Sequence, residues 1–216
     1  FVQTFLERDL PQLGVTIPEG TVRRFWQMCA HVHGQLWNAS KLAQSLGVSQ
    51  PTVQSYLGVL QGTFMLRILP PFATNLKKRL VKTPKVYLRD TGLLHTLLRI
   101  STADELLGHP SYGSSWEGYV IEQILGQVGT EWEASFYRTS AGAECDLILQ
   151  KGNRLLAIEC KASTAPEPTR GFWHAPEDLT PEHAWIIAPV MEAYPMRRSV
   201  TVAPVATVLK QIRDRR

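Results

Sequence analysis

The sequence has few cysteines and no long apolar run. Its 216 residues include three cysteines, Cys29, Cys145 and Cys160, and no Cys-x-x-Cys pair. An odd, scattered set of this kind disfavours both a disulfide framework and a zinc site, so we expect reduced thiols and a cytoplasmic protein. No run of about 18 apolar residues and no signal-peptide pattern occur, so neither a membrane span nor export is indicated.

Acidic residues are scarce in the first hundred positions. Residues 1–100 contain 12 Lys and Arg but only 4 Asp and Glu, whereas residues 101–216 contain 11 basic and 15 acidic residues. The length allows one large or two small domains. The difference in charge indicates two domains with different electrostatic surfaces. The stretch 101–114, rich in Gly, Ser and His, is the predicted linker between them.

The first domain, predicted at 21–100, has the pattern of a winged helix-turn-helix. Apolar residues at helical spacing predict a helix over 21–33 that ends near Gly34. Two more helices follow around a turn at Gly47, and Ser49 is the predicted N-cap of the second of them. Strands at 63–69 and 85–89 complete the pattern, and the basic connection between them, 77–82, forms the wing.

The wing and the last of these helices are the candidate nucleic-acid contacts. The wing carries enough cations to contact phosphates, whereas the helix at 49–62 contains no Lys or Arg and offers only polar side chains for reading bases. The predicted nucleic-acid-binding residues are Lys77, Lys78, Arg79, Lys82, Gln50 and Thr52. The same charges could instead serve contact between domains or be simply solvated, and the sequence leaves these interpretations open.

A Gly-Asn turn at 152–153 sets the predicted geometry of the second domain. It lies between two apolar runs, and Gly-Asn is a two-residue hairpin signal. Pairing outward from this turn predicts that Asp146 faces Glu159 across the hairpin. The same pairing predicts that Cys145 lies opposite Cys160 on the other face, where both would be small buried hydrophobic side chains.

Two opposed carboxylates repel each other unless a cation lies between them. A divalent cation would satisfy Asp146 and Glu159, and strand alternation places the Lys161 ammonium on the same face. Hard oxygen ligands beside a cation that offsets developing negative charge are typical of a magnesium-dependent phosphodiester-cleaving site. In the alternative interpretation, Lys161 forms an ordinary cross-strand ion pair with Glu144, and the carboxylates are merely solvated.

The spacing Asp-x12-Glu-x-Lys across a hairpin resembles the core of the PD-(D/E)xK nuclease superfamily. The resemblance implies an α/β (α+β) restriction-endonuclease-like domain at 115–216, whose elements run helix, three strands, helix, strand. It implies that Asp146, Glu159 and Lys161 are catalytic, and that Glu117, with the same two carboxylates, binds Mg²⁺ or Mn²⁺. The sequence departs from the superfamily in having cysteine, not proline, before the aspartate.

Local patterns predict the individual elements of the second domain, apart from one weakly specified proline-rich connection after the hairpin. We expect, in order, a helix at 115–128, a strand at 134–139, the hairpin at 143–162, strands at 183–188 and 199–203, and a helix at 205–213. Glu117 also fits a capping box at the start of the first helix, with its carboxylate reaching the Ser114 N–H. This alternative to metal binding stays open.

Almost the whole chain resembles the C-terminal part of predicted AAA+ family ATPases of bacteria and archaea, in which a domain of unknown function follows the ATPase module. The resemblance rests on an ordered set of motifs: Leu6-Glu7-Arg8-Asp9, Leu42 to Leu60, Pro71, Asn75, Lys78-Arg79, Lys82, Pro84-Lys85-Val86-Tyr87, Asp90-Thr91-Gly92-Leu93, Glu117, Arg138-Thr139, Glu144-Cys145-Asp146 and Ile158-Glu159-Cys160-Lys161. It implies a missing N-terminal module that binds ATP and through which the protein self-associates. Residues 1–20 would be the tail of that module or a linker.

The sequence supports two functions of different classes. No G-x-x-x-x-G-K-[ST] motif occurs, so we expect neither a nucleotide site nor ATPase activity in these residues. The first function is a magnesium-dependent nuclease-like domain acting on nucleic acid, with a winged helix for DNA contact. The second is a non-catalytic DNA- or protein-binding module with a nuclease-like fold. The carboxylate register favours the first, and the net negative charge of the second domain favours the second, because a nuclease must hold a polyanion.

Overall fold

Two β-sheets, each covered by helices, organise the chain into an N-terminal half (1–100) and a C-terminal half (101–213) of mixed α and β structure. The computed structural model describes residues 1–73, 79–197 and 199–213. The N-terminal half contains α1 (Val2–Thr4), a π-helical turn (Phe5–Asp9), α2 (Leu10–Gln12), α3 (Glu19–His31), β1 (Gln35–Leu36), α4 (Ala39–Leu46), α5 (Gln50–Gly62), β2 (Leu66–Leu69), β3 (Lys85–Leu88) and α6 (Thr91–Leu98). The C-terminal half contains α7 (Ala103–Leu107), α8 (Tyr112–Leu125), β4 (Glu133–Arg138), β5 (Glu144–Lys151), β6 (Arg154–Cys160), α9 (Arg170–Leu179), β7 (His183–Ile187), β8 (Tyr194–Arg197), β9 (Val200–Ala203) and α10 (Val205–Arg213).

Helices α4 and α5 form at the predicted helix-turn-helix. Gly47 ends α4 with a φ of +70°, a left-handed conformation that glycine adopts without steric strain. Ser49 then caps α5, since its Oγ accepts a hydrogen bond of 3.3 Å from the Thr52 N–H. The apolar faces of the two helices close the N-terminal core through Leu42, Ala43, Val53, Leu57 and Leu60.

Strand β3 is the central strand of the antiparallel N-terminal sheet, whose order is β1-β3-β2. Strands β2 and β3 are the two that the sequence predicts, whereas β1 and helix α6 are additional elements. All four residues of β3 are buried, including Lys85, which is 3% exposed. A charged side chain on a buried strand needs opposite charge nearby, so Lys85 marks the position of an acidic group in the fold.

The first residues of the chain pack on the N-terminal core. Phe5, Leu6 and Leu10 are buried, and the ring of Phe5 lies 5.3 Å from that of Trp26 on α3, measured between centroids. The sequence predicts a tail or linker over 1–20. In the structure, the apolar side chains of this stretch are part of the first domain's core.

The C-terminal half is built on a six-stranded sheet with the order β4-β5-β6-β7-β9-β8. Strands β4, β5 and β6 are antiparallel neighbours, and β7 is parallel to β6. Helices α8 and α10 pack against one face of the sheet, and α9 packs against the other. From α8 to β7, the elements follow one another as helix, three strands, helix and strand.

Helix α9 replaces the connection that the sequence left weakly specified. Thr169 caps it by accepting a hydrogen bond from the Phe172 N–H, and its buried side chains are Phe172, Ala175 and Leu179. Helical periodicity is therefore present, but Pro176 lies inside the helix and masks it, because proline normally ends or kinks a helix. Strand β8 also went unpredicted.

The two halves share a core and hydrogen bonds. Tyr87 of β3 packs among side chains of the six-stranded sheet and its helices, including Ile121 and Phe136. The part of the wing connection that the structure describes, residues 79–82, lies at the edge of β4, where the Val81 N–H bonds to the Arg138 carbonyl at 3.0 Å. The predicted linker, 101–114, contains α7 and the first residues of α8. No helix in the described ranges is both long and apolar enough to cross a membrane.

Candidate functional site

The hairpin of β5 and β6 has the register that its Gly-Asn turn predicts. Lys151 pairs with Arg154, and the pairing continues to Leu147 opposite Ile158. Gly152 has a φ of +58°, as a two-residue hairpin turn requires. Next to the last of these pairs, the Asp146 Oδ2 accepts a hydrogen bond of 2.9 Å from the N–H of Cys160. The hairpin therefore brings Asp146 to the end of β6.

A β-bulge in β5 changes the face of the sheet on which the residues before it lie. Ser135 of β4 pairs with Ile148, but Tyr137 pairs with Cys145, so β5 has one extra residue in this interval. Our prediction that the two cysteines share a face is wrong for this reason. Cys145 packs in the core under α9, whereas Cys160 packs in the core under α8. Both thiols are buried, and burial raises their pKa well above the usual range.

A lysine of the N-terminal half lies among the acidic side chains of the C-terminal half. The Nζ of Lys85 is 3.0 Å from Glu117 Oε1, 3.2 Å from Glu144 Oε1 and 3.4 Å from Asp146 Oδ1. Burial alone would lower the pKa of Lys85, but the three carboxylates outweigh it and raise that pKa. The sequence predicts a cation between Asp146 and Glu159, and in this structure the Lys85 ammonium lies beside Asp146.

Glu117 projects from α8 into the same group. Its Oε1 accepts hydrogen bonds from the Tyr87 hydroxyl at 2.5 Å and from the Lys85 ammonium at 3.0 Å. Burial and the negative charge of Asp146 raise the pKa of Glu117 to about 7. The capping-box alternative is wrong, because α8 begins at Tyr112 and Glu117 lies beyond its first turn.

Glu159 and Lys161 lie beside each other at the end of β6. The Lys161 ammonium is 2.7 Å from Glu159 Oε1, and Glu159 is 4% exposed. Glu159 Oε2 is buried and has no hydrogen-bond partner among the described residues. Burial and the charge of Asp146 raise the pKa of Glu159 well above its usual range. The alternative pairing of Lys161 with Glu144 does not form, since Glu144 pairs with Lys85 and Arg138.

These side chains line one cavity of about 370 Å³ at the junction of the two halves. Its walls carry the carboxylates of Glu117, Glu144, Asp146 and Glu159 and the ammonium groups of Lys85 and Lys161. The structure therefore brings together all the predicted catalytic and metal-binding residues. Over the ranges that the structure describes, no three His, Cys, Asp or Glu side chains are already arranged as ligands of one metal ion.

The predicted nucleic-acid-binding residues lie in two places. Arg79 and Lys82 are exposed on the wing connection, at the edge of β4. Gln50 is exposed in the first turn of α5, where the Thr52 hydroxyl lies 2.8 Å from Ser49 Oγ, and neither Gln50 nor Thr52 lines the acidic cavity. Lys77 and Lys78 fall outside the described residues.

Sequence reasoning missed Lys85 and Tyr87 as residues of the site. Both belong to the run Lys-Val-Tyr-Leu of β3, in which a lysine begins an otherwise apolar strand. That pattern could have indicated a buried lysine in need of a carboxylate partner. Its partners lie 32 to 61 positions further along the chain, so their identity depends on how the two halves pack.

Comparisons with known proteins find a match to a different domain family in each half of the chain. Residues 1–104 match the family described as domain of unknown function DUF8612, and residues 112–208 match domain of unknown function DUF4143. Curated relatives from Mycobacterium tuberculosis and Mycobacterium bovis, both described as uncharacterized proteins, are 40% identical over 209 residues, or 97% of this chain. The chain spans about half the length of these relatives, 47% in each case. No solved structure matches.

Proposed function

We propose that this chain is the C-terminal part of an AAA+ ATPase and carries a divalent-cation-dependent phosphodiesterase site that acts on nucleic acid. In this proposal the C-terminal half has the PD-(D/E)xK fold, and the N-terminal half is a winged helix that contacts DNA. The observation that carries the proposal is the unpartnered Oε2 of Glu159, buried in a cavity with three other carboxylates. A buried carboxylate oxygen without a partner is costly, and a bound cation would relieve that cost.

The charge of the cavity supports a divalent cation. Its four carboxylates face the ammonium groups of Lys85 and Lys161, and Glu144 also pairs with the Arg138 guanidinium, which leaves one negative charge if all seven groups are ionised. The raised pKa values of Glu117 and Glu159 reflect this shortage of positive charge, because burial and neighbouring carboxylates both favour the protonated form. Mg²⁺ and Mn²⁺ prefer such hard oxygen ligands. Glu117, Asp146 and Glu159 would hold the ion.

Each residue of the site has a role in this proposal. When bound, the metal ion would supply Lewis acidity toward a phosphate oxygen and a water made more acidic. Lys161 holds the Glu159 carboxylate in place at 2.7 Å and places its positive charge at the cavity, where negative charge develops on the phosphate. The Cys160 N–H orients the carboxylate of Asp146.

The topology and the wing add further support. The order helix, three strands, helix, strand in the C-terminal half agrees with the order that the superfamily resemblance implies. A bridge between Leu80 and Thr139 places the described residues of the wing, 79–82, at the edge of β4 and brings Arg79 and Lys82 near the net acidic domain. This position offers a polyanion positive charge beside a domain whose net charge is negative. The second matched family is typically found in AAA-ATPase-associated proteins.

A non-catalytic binding module is the second candidate. The observation that favours it is the Lys85 ammonium, which neutralises part of the acidic cluster without a metal ion. In that case the C-terminal half is a docking surface and the wing makes the contacts to nucleic acid or to a partner protein.

Cleavage of labelled DNA and RNA in Mg²⁺ or Mn²⁺ separates the two candidates. The first predicts cleavage that Lys161→Ala reduces on the order of a hundredfold or more, because one positioned charge in a preorganised site has that effect. The matched control is Lys151→Ala on the same hairpin, where the lysine pairs with Glu131 outside the cavity. Equal cleavage by the wild type and Lys161→Ala would place the activity elsewhere, and no cleavage of either nucleic acid would favour the binding module.

A further inference from the structure

We propose that Lys85 is a built-in counter-ion that competes with the divalent cation for Glu117 and Asp146. Binding of the metal ion then requires the Lys85 ammonium to leave these carboxylates. The inference rests on the proposed function, since it concerns the regulation of the same site. It assigns to the N-terminal half direct control over metal binding in the C-terminal half.

The contacts of strand β3 carry this inference. Lys85 and Tyr87 are two positions apart on the strand, so their side chains lie on the same face and both reach Glu117 Oε1. The same ammonium is 3.4 Å from Asp146 Oδ1. Two of the three predicted metal ligands are therefore engaged by the N-terminal half, and the third, Glu159, keeps a buried oxygen without a hydrogen-bond partner among the described residues.

The position of the ammonium makes the competition direct. A metal ion bound to oxygens of Glu117 and Asp146 would lie within a few ångströms of Lys85 Nζ, and like charges at such a distance repel strongly where little water screens them. Lys85 is only 3% exposed, so solvent screens it poorly. The Lys85 contacts therefore lower the affinity for metal.

This competition also links metal binding to the position of β3. Coupling between two binding events is reciprocal. A partner that moves β3 and Lys85 away from the cavity therefore raises its affinity for metal. Conversely, bound metal weakens the contacts between the C-terminal half and β3. Strand β3 is central in the N-terminal sheet, so a partner of that half can act on the site through it.

Titration calorimetry with Mn²⁺ on the 216-residue chain tests the proposal. We expect Lys85→Met to bind Mn²⁺ at least tenfold more tightly than the wild type. The matched control is Lys41→Met, which removes an exposed lysine of the same half that does not line the cavity. Its affinity should equal that of the wild type. Equal or weaker binding by Lys85→Met, beside measurable binding by the wild type, would overturn the inference and leave the proposed site intact.

Loss of Lys85 leaves three carboxylates without their shared partner and could prevent folding. The pair Glu144→Gln and Lys85→Met/Glu144→Gln reduces this problem, because one of the three carboxylates is removed in both proteins. The double variant should again bind Mn²⁺ at least tenfold more tightly than the single variant. If none of the five proteins binds Mn²⁺, the proposed function itself fails, a result that differs from equal binding by all of them.

The wild type provides a measurement that needs no substitution. The ammonium resonances of the lysine side chains can be followed by NMR during titration with diamagnetic Mg²⁺. We expect the Lys85 signal to shift or to lose its protection from exchange as Mg²⁺ saturates the site. Saturation with no change in that signal would overturn the inference.

Discussion

The Lys85 Nζ lies 3.4 Å from the Asp146 Oδ1, although the two residues belong to different halves of the molecule and are 61 positions apart in the chain. This contact places the junction of the halves at the acidic cavity. Residues of both halves therefore line the cavity, and β3 contributes its lysine to it. Substitutions in the carboxylates, in the wing and at the junction separate the contributions of these three features.

Divalent cations should raise the thermal stability of the protein. A ligand that binds only the folded state stabilises it by RT ln(1 + L/Kd), where L is the free ligand concentration. At millimolar Mn²⁺ we expect a rise in Tm for the wild type and almost none for Asp146→Asn, because the substitution removes a charged ligand. Differential scanning calorimetry with and without Mn²⁺ measures both.

Glu177→Gln serves as the control for that experiment, since Glu177 is an exposed carboxylate of α9 that pairs with His174 outside the cavity. Its response to Mn²⁺ should equal that of the wild type. If Asp146→Asn keeps the full Mn²⁺ effect, the ion binds somewhere other than the cavity.

Replacing Lys77, Lys78, Arg79 and Lys82 together by alanine should weaken nucleic-acid binding. Log affinity falls linearly with log salt concentration, and each lost phosphate contact makes that line less steep by roughly one unit of slope. Fluorescence anisotropy with labelled DNA and RNA, starting at about 50 mM salt, measures affinity and slope together.

A control of equal charge uses four other cations outside the wing: Arg24, Lys41, Lys151 and Lys210. If this control loses as much affinity as the wing variant, binding depends on net charge and not on the wing. If the wild type shows no affinity for DNA or RNA at low salt, this result supports the interpretation that the module binds protein.

Local signals explain the parts of the fold that the sequence predicted correctly. The helix pair follows from the cap at Ser49 and the left-handed Gly47, and the hairpin register follows from the turn at Gly152. Each of these signals acts within a few residues. Strand alternation then brought Glu159 and Lys161 together, as their 2.7 Å contact shows.

The features that the sequence did not predict depend on distant contacts or on a break in periodicity. The bulge in β5 arises where this strand pairs with β4, and it moves Cys145 to the other face of the sheet. The role of Lys85 depends on how the two halves pack. Pro176 concealed the helical pattern of α9.

Glu122 should contribute to stability as the acidic partner of two arginines across the junction. It projects from α8 and pairs with Arg67 of β2 and, at 3.0 Å, with Arg89. Glu122 is largely buried, whereas the arginines are partly exposed. We therefore expect Glu122→Ala to lower the free energy of unfolding by about 2 kcal/mol, less than for a fully buried pair. Urea unfolding measures this change.

The control for Glu122 is a double-mutant cycle with Arg67→Met. If the interaction matters, the effect of Glu122→Ala should become smaller in the Arg67→Met background. An unchanged effect would mean that Glu122 stabilises the protein through its packing and not through its charge.

His33 should make the stability of the protein depend on pH. Its Nδ1 accepts a hydrogen bond of 2.9 Å from the Leu88 N–H, so its Nε2 carries the proton and donates to the Ser114 carbonyl at 3.0 Å. Burial lowers the pKa of His33 from 6.5 to about 4. Between these values the unfolded chain binds a proton that the folded protein does not, so this contribution to stability is lost as pH falls from about 6.5 toward 4. The loss is at most about 3 kcal/mol.

Urea unfolding of the wild type and of His33→Gln between pH 6.5 and pH 4 measures this loss. Because the glutamine does not titrate, the variant should show a smaller decrease, and equal decreases in the two proteins would assign the pH dependence to other groups.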